Sequence, residues 1–302
     1  MPPPTHLWFA VAAFVFGALW GSFLNVVIFR LPRGESVIHP PSHCGACGTP
    51  IRAWHNLPIL SWVLLRGRCA TCRAPFSVRY PLVELAVAVL SLAIWTRLAH
   101  GPPAPLYDVI VAYLGHFVFI LALVAIAFID LDTMRIPDAL SLPPILVGLL
   151  LALGEGPVTG VGLEQSLLGT LVGGGSLLAI TWGYFALTRR HGMGLGDFRL
   201  MAMVGAFLGV RSLLFVLMAS ALQGLVFAVA IRTFRVRMPD YDADDETVPE
   251  ASAESPPPEP PSFRQLAIPY GPFIALAAVE WLLFERPLLA LVDRVLSQSS
   301  AA

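Results

Sequence analysis

Eight long runs of apolar residues dominate this chain, at roughly 7–29, 80–98, 107–130, 139–154, 164–187, 198–210, 212–231 and 266–284. A bilayer core takes about 20 residues of helix to cross, and most of these runs approach that length. The run 198–210 is short, and Arg211 alone divides it from the next. Hydrophobic residues make up 56% of the 302 and charged ones 13%, whereas a soluble domain needs about 25% charged residues to coat itself. Soluble, disordered and fibrous chains are excluded together. The composition predicts an all-α polytopic membrane protein, a bundle of about eight transmembrane helices. The first run is a poor signal peptide, since Met1 to Leu7 holds no Lys or Arg and no small-residue cleavage site follows.

All 19 basic residues are Arg, and 15 of them fall on one side of an eight-span arrangement. By the positive-inside rule that side is cytoplasmic, and both termini face outward. Residues 1–29 form the first span, and 30–79 a cytoplasmic loop domain. Residues 80–237 carry the following helices, and 263–302 the last span with its tail. The segment 238–262 holds eight acids, seven prolines and no Arg; it is too poor in apolar residues to pack and reads as a disordered cytoplasmic loop. An acidic docking tail is the other reading of the same charge block. Gly173, Gly174, Gly175, Gly205 and Gly209 read as close helix contacts.

All four cysteines lie in the 30–79 loop, as Cys44-Gly-Ala-Cys47 and Cys69-Ala-Thr-Cys72. Each CxxC lets two thiolates converge from one tight turn, and two turns complete a tetrahedral S4 shell for Zn2+. Gly45 and Gly48 suit such a turn. A redox role would need only one pair, and structural disulfides are rare in the cytoplasm. With four cysteines as ligands no open position is left for a catalytic water, so this zinc is structural. His39, His43 and His55 are redundant beside four thiolates.

Carboxylates at membrane depth are expensive unless they have a task or a partner. Asp130 ends the third span, and Asp197 begins the sixth in Gly194-Leu195-Gly196-Asp197. Both fall at the cytoplasmic ends of their helices and can share one depth. Two facing carboxylates do not both ionise at short range, which is the apparatus of aspartyl proteolysis. Gly194 and Gly196 would allow close backbone approach beside Asp197. The plainer alternative is that the two acids cap helices or pair with Arg135 and Arg199. Asp138 is expected to N-cap the fourth span, and Asp132 to face water or Arg135. Glu84 and Glu280 can line a site or serve packing, while His116, Gln223 and Asn25 read as interhelical hydrogen-bonders.

These residues resemble the type IV prepilin peptidase family of GxGD membrane aspartyl proteases. The match runs through Gly21-Ser22-Phe23-Leu24-Asn25-Val26, both CxxC pairs, Asn56-Leu57-Pro58, Ser61-Trp62, Leu65-Arg66-Gly67 and Arg79-Tyr80-Pro81 with Glu84. It continues in Phe128-Ile129-Asp130, Ile136-Pro137-Asp138, Gly194-Leu195-Gly196-Asp197 and Pro269-Tyr270-Gly271-Pro272. The resemblance implies a multi-pass enzyme of the bacterial inner membrane that cuts leaders from type IV prepilin or type II secretion pseudopilin precursors. It implies Asp130 and Asp197 as the catalytic pair within 80–237, with Gly194, Gly196, Asp138 and Glu84 in support. Many members also N-methylate the new amino terminus with S-adenosylmethionine, an activity tied to the cytoplasmic loop. The implied partners are precursor leaders and lipid, with no nucleic acid. The first CxxC lacks the Pro often found inside it, and the 238–262 insertion is unusual. From another class, a proton- or cation-coupled transporter could use the same aspartates, but transport gives no reason to combine a CxxC loop with GxGD.

Overall fold

A computed structural model describes residues 5–101, 103–154, 159–189, 194–234 and 268–299. The helices are α1 (Thr5–Arg30), a short α2 (Leu60–Leu64), α3 (Arg79–Ala99), α4 (Leu106–Thr133), α5 (Asp138–Leu153), α6 (Leu163–Thr188), α7 (Leu195–Leu208), α8 (Val210–Phe234) and α9 (Gly271–Ser299). The eight long helices fall on the eight apolar runs. Only α9 departs clearly, continuing to Ser299 where its run stops near 284. Five of them, α1, α3, α4, α6 and α8, are long and apolar enough to cross a membrane. No strand occurs among the described residues. The 238–262 segment lies outside them.

The break between α7 and α8 has a different cause from the one expected. Gly209 sits there at φ 72° and ψ 171°, a backbone region that is essentially restricted to glycine. Arg211 comes two residues later, already inside α8. Gly209 is therefore a corner as well as a packing contact, since a Cβ at Gly169 would lie 3.0 Å from its carbonyl carbon.

Helices in lipid gain little from apolar burial against one another, so close contact and hydrogen bonds must hold them. Small residues supply that contact. A Cβ at Gly17 would lie 2.6 Å from Ser91 Cβ, and one at Gly21 would lie 2.8 Å from Glu84 Cα, which draws α1 onto α3. Gly169 and Gly205 press against each other's backbones and do the same for α6 and α7. Gly173 meets the Met201 carbonyl and Gly174 meets Ala202, while Gly175 faces open space. Ser91 and Ser166 add hydrogen bonds of 2.6 Å to the carbonyls of Ala13 and Ala206 across the same two interfaces.

The core centres on α4, which packs against α1, α3, α5 and α9. Phe119, Ile120, Leu123, Ile126 and Ile129 on this helix are fully buried. Leu171 and Trp182 of α6 and Leu214 and Leu225 of α8 remain exposed, as side chains facing lipid would be.

Candidate active site

α4 ends in a tight reversal. Met134 adopts a left-handed conformation (φ 51°), and its N–H caps the carbonyl of Asp130 at 2.9 Å. A left-handed non-glycine residue costs about 1–2 kcal/mol, and here it turns the chain back so that Ile136 reaches α7 and α9. Arg79, the first residue of α3, holds the same end of α4. Its guanidinium donates to the Phe128 carbonyl at 3.1 Å and pairs with Asp132 at 2.7 Å. A half-exposed ion pair contributes about 0–1 kcal/mol. The second hydrogen bond, to the Phe128 carbonyl, fastens the start of α3 to the C-terminal part of α4. Asp132 thus pairs with Arg79 across helices while its side chain stays exposed, as expected of a residue that faces water.

Asp130 and Asp197 are both buried, at 5% and 7% exposure, and lie close enough to interact electrostatically. Asp130 sits in the last turn of α4, and Asp197 in the first turn of α7. The first N–H of α9, from Gly271, donates to Asp130 Oδ2 at 2.9 Å. Each carboxylate therefore meets a helix N-terminus, α9 for Asp130 and α7 for Asp197. Such an end is worth about 0.3–1 kcal/mol to a nearby negative charge, up to about 2 when partly buried. The sequence offered no spacing rule that would place Gly271 beside Asp130, since 141 residues separate them.

Ile136 is the wedge that joins these pieces. A Cβ at Gly196 would lie 2.7 Å from Ile136 Cβ, and a Cβ at Gly271 would lie 3.3 Å from Ile136 Cδ1. Gly196 is thus sterically required next to Asp197. Gly194 is not, because its nearest neighbour would be Asp197 Oδ2 at 3.8 Å. Tyr270 hydrogen-bonds Ser220 of α8 at 2.7 Å and lies within electrostatic range of Asp197.

Asp138 does not N-cap α5. Pro137 is the capping residue, with no side-chain bond, and Asp138 is the first helical residue. Its carboxylate pairs with Arg199 of α7, so it ties α5 to the helix that carries Asp197. Glu84 lies elsewhere, beside a cavity that neither aspartate lines, and accepts the Ile59 N–H at 2.6 Å. Among the other polar groups, Gln223 donates to Glu280 and Asn25 to the Tyr80 carbonyl, both between helices. His116 instead bonds the Ala112 carbonyl of its own helix.

The cysteine loop forms two matched turns. Bridges His43–Pro50 and Arg68–Pro75 close them, and Cys44 N–H and Cys69 N–H bond the carbonyls of Thr49 and Ala74. Gly48 (φ 66°) and Arg73 (φ 61°) occupy the same left-handed position after the second cysteine of each pair; Gly45 has no such conformation. All four Sγ atoms lie within 4.8 Å of one another, and Cys44 and Cys72 are 3.8 Å apart. Two sulfurs at about 2.3 Å from a tetrahedral ion would themselves be about 3.8 Å apart, so the group can hold a metal. The Thr49 hydroxyl, followed by its backbone, pulls the Cys47 thiol down to about 6. Backbone N–H groups of Cys72 and Thr71 lower Cys69. Both effects favour the thiolates that bind metal, whereas Cys72, although the Ala74 backbone lowers it, is pushed up to about 11 by its neighbouring cysteines and by burial.

Comparison with known proteins adds to this geometry. The profile of the bacterial peptidase A24 N-terminal domain matches residues 15–98, and that of the type IV leader peptidase family matches residues 117–229. Three relatives are each named prepilin leader peptidase/N-methyltransferase. The protein from Neisseria gonorrhoeae is 39% identical over 250 residues, covering 74% of this chain and 83% of that protein. One from Aeromonas hydrophila is 37% identical over 288 residues, 87% of each. A third, from Myxococcus xanthus, is 34% identical over 313 residues, 91% of this chain and 90% of its own. No solved structure matches the chain. The first profile ends in α3, and the second covers both buried aspartates; with these relatives matched over most of their length, the chain belongs to the type IV leader peptidase family.

Proposed function

We propose that this protein is a prepilin peptidase that cuts the leader from type IV prepilin or pseudopilin precursors by aspartyl proteolysis, with Asp130 and Asp197 as the catalytic pair. The observation that carries this reading is the convergence of two buried carboxylates from α4 and α7, one of them oriented by the Gly271 N–H. One ionised carboxylate takes a proton from water as that water attacks the scissile carbonyl. The protonated partner donates to the developing oxyanion; as the tetrahedral intermediate collapses the C–N bond breaks, the proton taken from water passes to the leaving nitrogen, and the leader departs as a carboxylic acid while the amine becomes the new N-terminus. The comparisons lend no support to the transporter alternative, which would also leave the cysteine loop without a role.

The cysteine group is the structural Zn2+ site of this reading. Four thiolates in a closed shell leave the metal no open position, so it staples the loop and takes no part in bond cleavage. The second half of the relatives' printed name extends to this chain as N-methylation of the new amine from S-adenosylmethionine. Arg placement supports a bacterial inner-membrane protein with the cysteine loop and aspartates at the cytoplasmic face and both termini periplasmic. Basic leaders would then be met on the face where they emerge.

Coexpression with a precursor and mass spectrometry of the product tests the pair. Asp130→Asn and Asp197→Asn should each lower cleavage at least about a thousandfold with membrane insertion intact, as Asn keeps the shape and cannot ionise. Wild-type activity in either variant would remove that residue from the mechanism.

A further inference from the structure

The short helix α2 presents an apolar face that no described residue covers. Leu60, Val63 and Leu64 stand at i, i+3 and i+4 and so share one side of the helix; they are 53%, 58% and 70% exposed. Trp54 and Leu57, just before the helix, are exposed as well. The other residues of α2 are fastened to the loop. Ser61 is buried and donates to the Trp54 carbonyl at 3.2 Å, and the Trp62 indole N–H donates to the Phe76 carbonyl at 3.3 Å. A Cβ at Gly67 would lie 2.8 Å from the Trp62 ring. The helix is thus tied to the second cysteine turn, with its apolar side left outward.

The depth of α2 says what meets that side. The Ile59 N–H, at the start of the helix, donates to Glu84 Oε2 at 2.6 Å. Ile59 holds φ 61° there, a conformation rare for a β-branched residue, and the carboxylate pins this corner to α3. Glu84 comes five residues after Arg79, the first residue of a helix long and apolar enough to cross a membrane. At 1.5 Å per residue that is about 7.5 Å below the helix start. Helices that lie in a bilayer surface sink their apolar side about 5–10 Å into the boundary of headgroups and acyl chains. Leu82, Leu85 and Val89 of α3 are exposed around and below the same level, so the face of α2 continues a lipid-facing surface.

Charge agrees with depth. Between Glu35 and Glu84 the chain holds five Arg and no acid, and Arg52, Arg66, Arg68 and Arg73 are exposed. The Arg52 guanidinium stands 5.5 Å from the centroid of the Trp54 ring. An amphipathic ring and a cation side by side suit the headgroup layer, where the one sits at the water boundary and the other meets anions. We propose that α2 lies in the adjoining leaflet, with Leu60, Val63 and Leu64 among the acyl chains and Arg52, Arg66 and Arg68 on anionic lipid headgroups. The cysteine loop is then docked on the bilayer rather than held away from it.

The full-length protein in lipid nanodiscs tests this. A benzophenone side chain placed at Leu64, an exposed position outside the catalytic groups, should on irradiation join acyl chains about as often as one placed at Leu85 of α3. Hydrogen exchange of the wild-type protein gives a second reading that needs no substitution. Amides of 57–66 should exchange at least about fivefold more slowly when about a third of the lipid is phosphatidylglycerol than in phosphatidylcholine alone, the scale of one arginine's attraction to an anionic surface. Arg52→Gln, Arg66→Gln and Arg68→Gln combined should bring the two rates together. Four results would each overturn the proposal: lipid adducts at 85 with none at 64, adducts at 64 to protein instead of lipid, wild-type exchange indifferent to phosphatidylglycerol, or a difference that survives intact in the triple variant.

Discussion

A methyl group added at Gly271 would sit 2.8 Å from Asp130 Oδ2 and 3.3 Å from Ile136 Cδ1. Neither neighbour can retreat easily, since Ile136 already presses on Gly196 and Asp130 is fixed by the Gly271 N–H. Gly271→Ala should therefore displace the carboxylate and lower the cleavage rate about tenfold to a hundredfold, the scale of loss expected from a misplacement of under about 1 Å. Gly194→Ala is the contrast, with φ −68° and no atom nearer to the added methyl than Asp197 Oδ2 at 3.8 Å; it should keep nearly full activity. Cleavage rates of the two variants, measured side by side at matched protein levels, check both outcomes. The aspartates were legible in the sequence because a charge at membrane depth demands a reason. The unequal need for Gly194 and Gly196 was not, because it depends on where Ile136 of another segment comes to rest.

Helix boundaries were readable where apolar runs stopped, but partners were not. Asp132 pairs with Arg79 across 53 residues and Asp138 with Arg199 across 61, spans that no local periodicity reaches. Local reasoning put Asp138 at an N-cap, yet Pro137 took that position and freed the carboxylate to bind α7. The α6–α7 interface depends on Gly169 and Gly205 lying backbone to backbone. Gly205→Val should force the helices apart, since overpacking a tight contact costs about 1–3 kcal/mol. A shift of several degrees in thermal unfolding of the detergent-solubilised protein measures this, and reduced cleavage should accompany it because α7 carries Asp197. An unchanged unfolding temperature would mean that the two helices can separate without cost.

Across the whole molecule, the cysteine loop and the helix bundle meet at Arg79, which closes the loop and clamps the end of α4 through Phe128 and Asp132, each two residues from Asp130. Removing the metal should therefore reach the active site. Freshly purified, reduced protein should contain about one zinc per chain, and Cys69→Ser should lose it. Loop unfolding should follow, seen as faster proteolysis between 44 and 79, with a smaller loss of cleavage activity than any aspartate variant shows. A metal content near zero in the wild-type protein would refute the staple. The sequence by itself determined the solvent of this protein, the number of long helices and the four cysteines of its candidate metal site. Each follows from local facts: run length against bilayer thickness, charge density, and the reach of a CxxC turn. Tertiary structure alone decided which groups stand beside Asp130, that Asp138 serves as a tie between helices, and that Glu84 accepts the Ile59 N–H of the loop. Those outcomes depend on how helices far apart in the chain come to pack, and in lipid that is settled by glycine contacts and single hydrogen bonds rather than by any pattern of hydrophobicity.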